Sequence, residues 1–110
     1  MAKMLAMPEN IERKYRHYCA VTNIKETTHL RILVLKRIPA LHDAATLNEI
    51  VERTQKSDPM INYVNIRLFL PEETIKELDK YSAFFKLGRK KCKFLYFLIE
   101  EDLQKAMEEI

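Results

Sequence analysis

Glycine occurs once in these 110 residues and tryptophan not at all. With Gly88 as the only glycine, phosphate-cradling loops of the G-x-x-x-x-G-K or G-x-G-x-x-G kind are excluded. So are collagen-like repeats and flexible low-complexity linkers. The scarcity also disfavours a turn-rich all-β sandwich and favours helices joined by short connections. Cysteine is nearly as rare: Cys19 and Cys92 lie far apart with no C-x-x-C, so a disulfide framework is not expected. A reduced, cytoplasmic protein is the simplest expectation. Long apolar runs are missing too. The best one, Leu30 to Leu41, is broken by Arg31, Lys36 and Arg37 and cannot span a bilayer. Met1 to Met7 is short for a secretory leader and runs straight into Pro8-Glu9. Finally, no charge sign dominates. Nineteen Lys and Arg face sixteen Asp and Glu, and a net charge of +3 does not by itself establish a nucleic-acid partner.

What is present is 47% apolar and 32% charged, the balance of a globular chain rather than a disordered one. The clearest pattern runs from Tyr63 to Ile110. Val64, Ile66, Leu68 and Leu70 alternate with Asn65, Arg67 and Phe69, which predicts a half-buried strand. Pro71-Glu72-Glu73 then starts a helix, with proline where no N–H is needed and two carboxylates at the positive end of the dipole. Ile75, Leu78, Tyr81 and Phe85, with Phe84 beside them, form its apolar stripe. The helix is expected to end near Leu87, with Gly88 as its stop. A second helix is expected from about Lys90 to Met107 or beyond, buried through Phe94, Leu95, Phe97, Leu98, Leu103, Met107 and Ile110. Its first turn is crowded with cations and its later turns with carboxylates. That polarity opposes the helix dipole, and an external anion at the start would relieve it.

The same pattern recurs faintly upstream. Laying Pro8 on Pro71 places Met4-Leu5-Ala6-Met7-Pro8-Glu9 on Arg67-Leu68-Phe69-Leu70-Pro71-Glu72. Without a gap, Tyr15 then meets Leu78, Tyr18 meets Tyr81, Val21 meets Phe84, Ile24 meets Leu87, Ile32 meets Leu95, Val34 meets Phe97 and Leu35 meets Leu98. The organisation expected is a diverged strand–helix–helix unit over 1–41, a helical connector over 42–60 and a second unit over 61–110. The plain alternative for the first stretch is two helices behind a disordered start. In the connector, 43–56 can form a short helix with Leu47, Ile50 and Val51 on one side, broken by Ser57-Asp58-Pro59. The fold class expected is mainly α with a short antiparallel β-ribbon.

Asn65-Ile-Arg-Leu-Phe-Leu-Pro-Glu-Glu73, the Leu87-Gly88 turn and the helix start from Lys90 to Leu98 resemble the ribbon-helix-helix family of DNA-binding proteins, the MetJ and Arc superfamily. The likeness covers the last 48 residues well and the first 40 loosely. It departs from the family at the second helix start, where a Ser-Arg-Ser-like sequence is common and Arg89-Lys90-Lys91 stands here. Tandem units in one chain are similar to those of some plasmid-transfer proteins and archaeal-virus regulators. The resemblance implies two paired strands in the major groove of double-stranded DNA, with outward ribbon residues reading base edges. Carried to this chain, those residues are Asn65, Arg67 and Phe69, and in the first unit Ala2, Met4 and Ala6, none of which carries a donor–acceptor pattern. Arg pairs with guanine and Asn with adenine, each good pair discriminating by about 1–3 kcal/mol, and Phe69 either meets a thymine methyl or turns inward.

The resemblance further implies phosphate held at the start of the second helix by backbone N–H groups. Here that start carries Arg89, Lys90 and Lys91, with Lys86 and Lys93 beside them. In the first unit the stretch is Lys25-Glu26-Thr27-Thr28, where Thr27 or Thr28 is expected to cap the helix and donate a hydroxyl to phosphate, and Glu26 to repel it, making this the weaker clamp. Either the two strands of one chain pair, giving a lopsided ribbon, or second units from two chains pair, giving a homodimer or higher oligomer on DNA. The function implied is a sequence-specific transcription regulator that represses by occluding a promoter. The alternative is an antitoxin-like or relaxosome accessory protein whose N-terminal half binds a protein partner.

Other chemistry has weaker support. His17, His29 and His42 are spaced by 12 and 13 residues, without H-x-x-x-H or a nearby cysteine pair, so no metal is expected. The helical spacing of Phe84, Phe85, Phe94, Tyr96 and Phe97 points to core or interface rather than to stacking on single strands. No serine elbow, paired acid–base carboxylates or nucleotide loop is apparent, so neither a cofactor nor an enzymatic activity is expected.

Overall fold

Pro8 and Pro71 each stand where a strand turns into a helix, with extended ψ and with φ at −54° and −57°, the range to which the pyrrolidine ring confines it. In the computed structural model, which describes residues 1–108, strand β1 (Ala2–Pro8) leads into α1 (Glu9–Thr22) and α2 (Glu26–Arg37). A 3-10 turn, Ile38–His42, and α3 (Ala44–Gln55) follow. Strand β2 (Tyr63–Phe69), α4 (Glu72–Phe84), a 3-10 turn at Gly88–Lys90 and α5 (Lys91–Glu108) complete the described chain. The molecule is mainly helical, with one two-stranded antiparallel sheet.

The strands of that sheet belong to one chain. Ala2 pairs with Phe69, Met4 with Arg67, Ala6 with Asn65 and Pro8 with Tyr63. The ladder extends one residue at either end, where the Leu70 amide donates to the Met1 carbonyl and the Glu9 amide to the Asn62 carbonyl, both at 2.9 Å. Leu5, Met7, Leu68 and Leu70 face inward and are buried, because an isolated two-stranded ribbon is marginal and needs an apolar floor. Helix α5 supplies that floor. Phe94, Leu95, Tyr96, Leu98, Ile99 and Leu103 are buried on it, more than one face's worth. β1, α2 and α3 all pack against it, which is why so many sides are apolar. Each such side chain contributes about 1.5–3 kcal/mol by leaving water. Ile110, expected on this face, lies outside the described residues.

Both first helices end in the same way, and not at glycine. α1 closes with Asn23 at φ 57° and the Ile24 amide on the Cys19 carbonyl at 2.9 Å. α4 closes with Lys86 at φ 53°, the Lys86 amide on the Ala83 carbonyl and the Leu87 amide on the Ser82 carbonyl. These are Schellman closures, and Asn23 and Lys86 are related by the same offset that lays Pro8 on Pro71. The expected stop near Leu87 is thereby corrected: α4 ends at Phe84, and Gly88, at φ 55°, opens the 3-10 turn instead. The apolar stripe is corrected as well, since Phe84 is 77% exposed, edge-on to the Phe85 ring at 4.9 Å.

The connector helix starts where expected. Asp43 caps α3 by accepting from the Thr46 amide at 3.0 Å and the Thr46 hydroxyl at 2.8 Å, bonds that hold its carboxyl below the usual range. Ile50 and Val51 are buried against α5, and Arg53 bridges to Glu100 at 3.2 Å. None of the described helices is long and apolar enough to cross a membrane.

A candidate nucleic-acid interface

Alternation along β1 and β2 decides what the ribbon shows to solvent. Asn65, Arg67 and Phe69 are exposed, and Ala2 and Met4 are exposed beside them. Phe69 is 63% exposed and Met4 42%. Ala6, paired with Asn65, departs from the expected outward set at 4% exposure. The Arg67 guanidinium lies 5.3 Å from the centre of the Phe69 ring, a cation–π contact that leans it toward the Ala2 end of the ribbon. No carboxylate occupies an outward ribbon position.

The cation cluster lies beside the opposite end. Lys93 places its ammonium 4.4 Å from the centre of the Tyr63 ring, which ties the first turn of α5 to the start of β2. Burial raises the Tyr63 phenol above its ordinary value, so it stays neutral beneath that charge. Lys90 donates to the Gln55 carbonyl at 2.6 Å, securing the α5 start to the end of α3. Lys86, Arg89 and Lys91 are exposed and form no ion pair among the described residues. Elsewhere many cations are neutralised, in pairs such as Arg13–Glu9, Arg16–Glu12, Lys56–Glu52 and Lys105–Glu101.

The backbone expectation at this helix start needs correction. The Lys90 amide is bonded to the Leu87 carbonyl at 3.0 Å and the Lys91 amide to the Gly88 carbonyl, both inside the 3-10 turn. Side chains, not those two amides, are the free donors here. The equivalent start of α2 is also rearranged. Lys25 is the N-cap, with no side-chain capping bond, so Thr27 and Thr28 lie inside the first turn and cap nothing. Both are exposed, next to the half-buried Glu26.

A feature invisible in the pattern fixes that helix start from below. The buried Tyr15 hydroxyl is hydrogen-bonded to Nδ1 of His29 at 2.7 Å, with its ring stacked on His29 at 5.8 Å and on Tyr18 at 6.1 Å. Burial lowers the His29 pKa below 6.5, so the ring is neutral near pH 7. Burial, helped by the neighbouring Cys19 thiol, raises the Tyr15 phenol far above its ordinary value. The three histidines do not gather: His42 instead meets Glu77 at 3.1 Å, and no group of three metal-ligating side chains converges among the described residues.

No family model matches the chain, and no curated protein or solved structure matches it.

Proposed function

We propose that the protein is a sequence-specific, double-stranded DNA-binding regulator of the ribbon-helix-helix kind, built from units 1–41 and 61–110 of one chain. The ribbon enters the major groove, where a two-stranded β-element fits and all four base pairs are distinguishable. Arg67 and Asn65 pair with base edges, and Phe69 contacts a thymine methyl. Arg89, Lys91 and Lys86 hold flanking phosphate, with Lys93 and Lys90 fixing the helix start that presents them. Occlusion of a promoter makes such a protein a repressor. No catalytic step and no cofactor enters this reading.

One observation carries it. Arg67, without an ion pair among the described residues, stands on a carboxylate-free ribbon face, and Lys86, Arg89 and Lys91, likewise without ion pairs, accompany a helix start anchored to that ribbon. A polyanion whose groove edges accept hydrogen bonds complements both features.

Selection from a randomised duplex library at two salt concentrations tests this. Recovery of a defined motif, with affinity falling steeply as salt rises, is the expected result. Absence of binding at low salt overturns it and transfers the ribbon face to a protein partner.

A further inference from the structure

We infer that the DNA element this chain recognises is asymmetric: one copy reads a site without inverted repeat, in one fixed orientation. The inference rests on the DNA-binding reading and specifies the substrate of the same ribbon.

The strands are antiparallel, and the register pairs Met4 with Arg67. These are also the residues superposed when Pro8 is laid on Pro71, so an approximate twofold axis passes between them. A palindrome would require like side chains at positions exchanged by that axis. They are unlike at every outward pair. Asn65 exchanges with Ala2, Arg67 with Met4 and Phe69 with Ala6. Both groups able to read a donor–acceptor pattern therefore come from β2, and β1 offers methyl and thioether surface only.

The flanks are unequal in the same sense. Lys93 seats the α5 start against Tyr63, two residues from Asn65, and Arg89 and Lys91 at that helix start are exposed and form no ion pair among the described residues. The α2 start offers Lys25, Thr27 and Thr28 with Glu26 among them. The Arg67 guanidinium meanwhile leans onto Phe69. Along the ribbon the order is thus a cationic flank, then Asn65 beside Ala6, Arg67 beside Met4, and Phe69 beside Ala2. Such a surface has a direction, and bound DNA must present its bases in the matching direction.

Library selection with the full chain, followed by the mass of the complex in solution, tests this. A motif lacking inverted symmetry, bound by one chain per duplex, is expected. Asn65→Ala should erase preference at one side of that motif only, by about tenfold. The variant Ala2→Asn with Met4→Arg creates like residues at two of the three exchanged pairs, leaving only Phe69 and Ala6 unlike, and should draw the selected motif toward an inverted repeat. Both substituted positions are exposed, and circular dichroism checks the fold; Asn65→Ala carries the test alone if the double variant unfolds. An inverted-repeat motif occupied by two wild-type chains, or symmetric loss of preference in Asn65→Ala, overturns the asymmetry and leaves DNA binding standing. Binding with no motif at all overturns both.

Discussion

Met4 and Arg67 face each other across the ribbon at the register position where the two halves of the chain exchange. A flexible thioether thus stands opposite a guanidinium at the centre of the exposed face. Nothing acidic competes for that guanidinium there, and its one aromatic neighbour, Phe69, leaves its N–H groups free to donate.

Removing this side chain should cost sequence preference before it costs attraction to DNA. Arg67→Ala is expected to weaken the selected site by about 1–3 kcal/mol and to relax one motif position. Arg67→Lys should keep most of the salt dependence and still lose the discrimination, because an ammonium cannot reproduce the bidentate fork. Fluorescence anisotropy on matched and mismatched duplexes measures both. Equal losses on every sequence would contradict the assignment.

The free cations at the α5 start should behave in the opposite way. Arg89→Ala with Lys91→Ala is expected to weaken all duplexes alike and to flatten the plot of log affinity against log salt by about two units. Lys90 is a poorer target, since its ammonium is occupied by the Gln55 carbonyl. Loss of sequence preference in this double variant would refute the division of labour.

His29 sets a pH dependence of stability. Its pKa in the folded chain lies below the ordinary 6.5, so the unfolded chain takes up a proton first as pH falls. The stabilisation is complete above about 6.5 and declines as pH drops through that value toward the lowered one. Urea midpoints at about pH 7.5 and pH 5.5 should therefore differ in the wild type. His29→Gln keeps a neutral hydrogen-bonding group beside the Tyr15 hydroxyl and should narrow that difference.

Lys86 holds a left-handed conformation that favours glycine. Lys86→Gly should stabilise the fold by about 0.5–1 kcal/mol, a melting rise of a few degrees. The gain at Asn23→Gly should be smaller, because asparagine tolerates the same conformation. A lower melting temperature for Lys86→Gly would show that its backbone is not strained.

Much of this architecture was legible because local chemistry and global packing agree. The alternation from Val64 to Leu70, the prolines at both strand–helix boundaries and the apolar spacing of Leu47, Ile50 and Val51 each mark an element by themselves. β1 was not legible alone: Ala-Lys-Met-Leu-Ala-Met-Pro has weak strand preference, and only its alignment with β2 reveals it. The end of α4 was misplaced because glycine is the usual left-handed residue, and here lysine takes that position. At the candidate interface, period two exposes Asn65, Arg67 and Phe69 as expected. The contacts of Lys93 with Tyr63 and of Lys90 with Gln55 join residues thirty or more positions apart, which no local pattern encodes.

Because β1 and β2 are parts of one polypeptide, the pairing of Leu5 with Ile66 is an intramolecular equilibrium. A ribbon assembled from two separate chains falls apart on dilution, since its stability depends on protomer concentration. This one does not. However few copies are present, each carries a finished ribbon, and under the proposed DNA-binding reading occupancy of a site would follow the first power of protein concentration rather than the square.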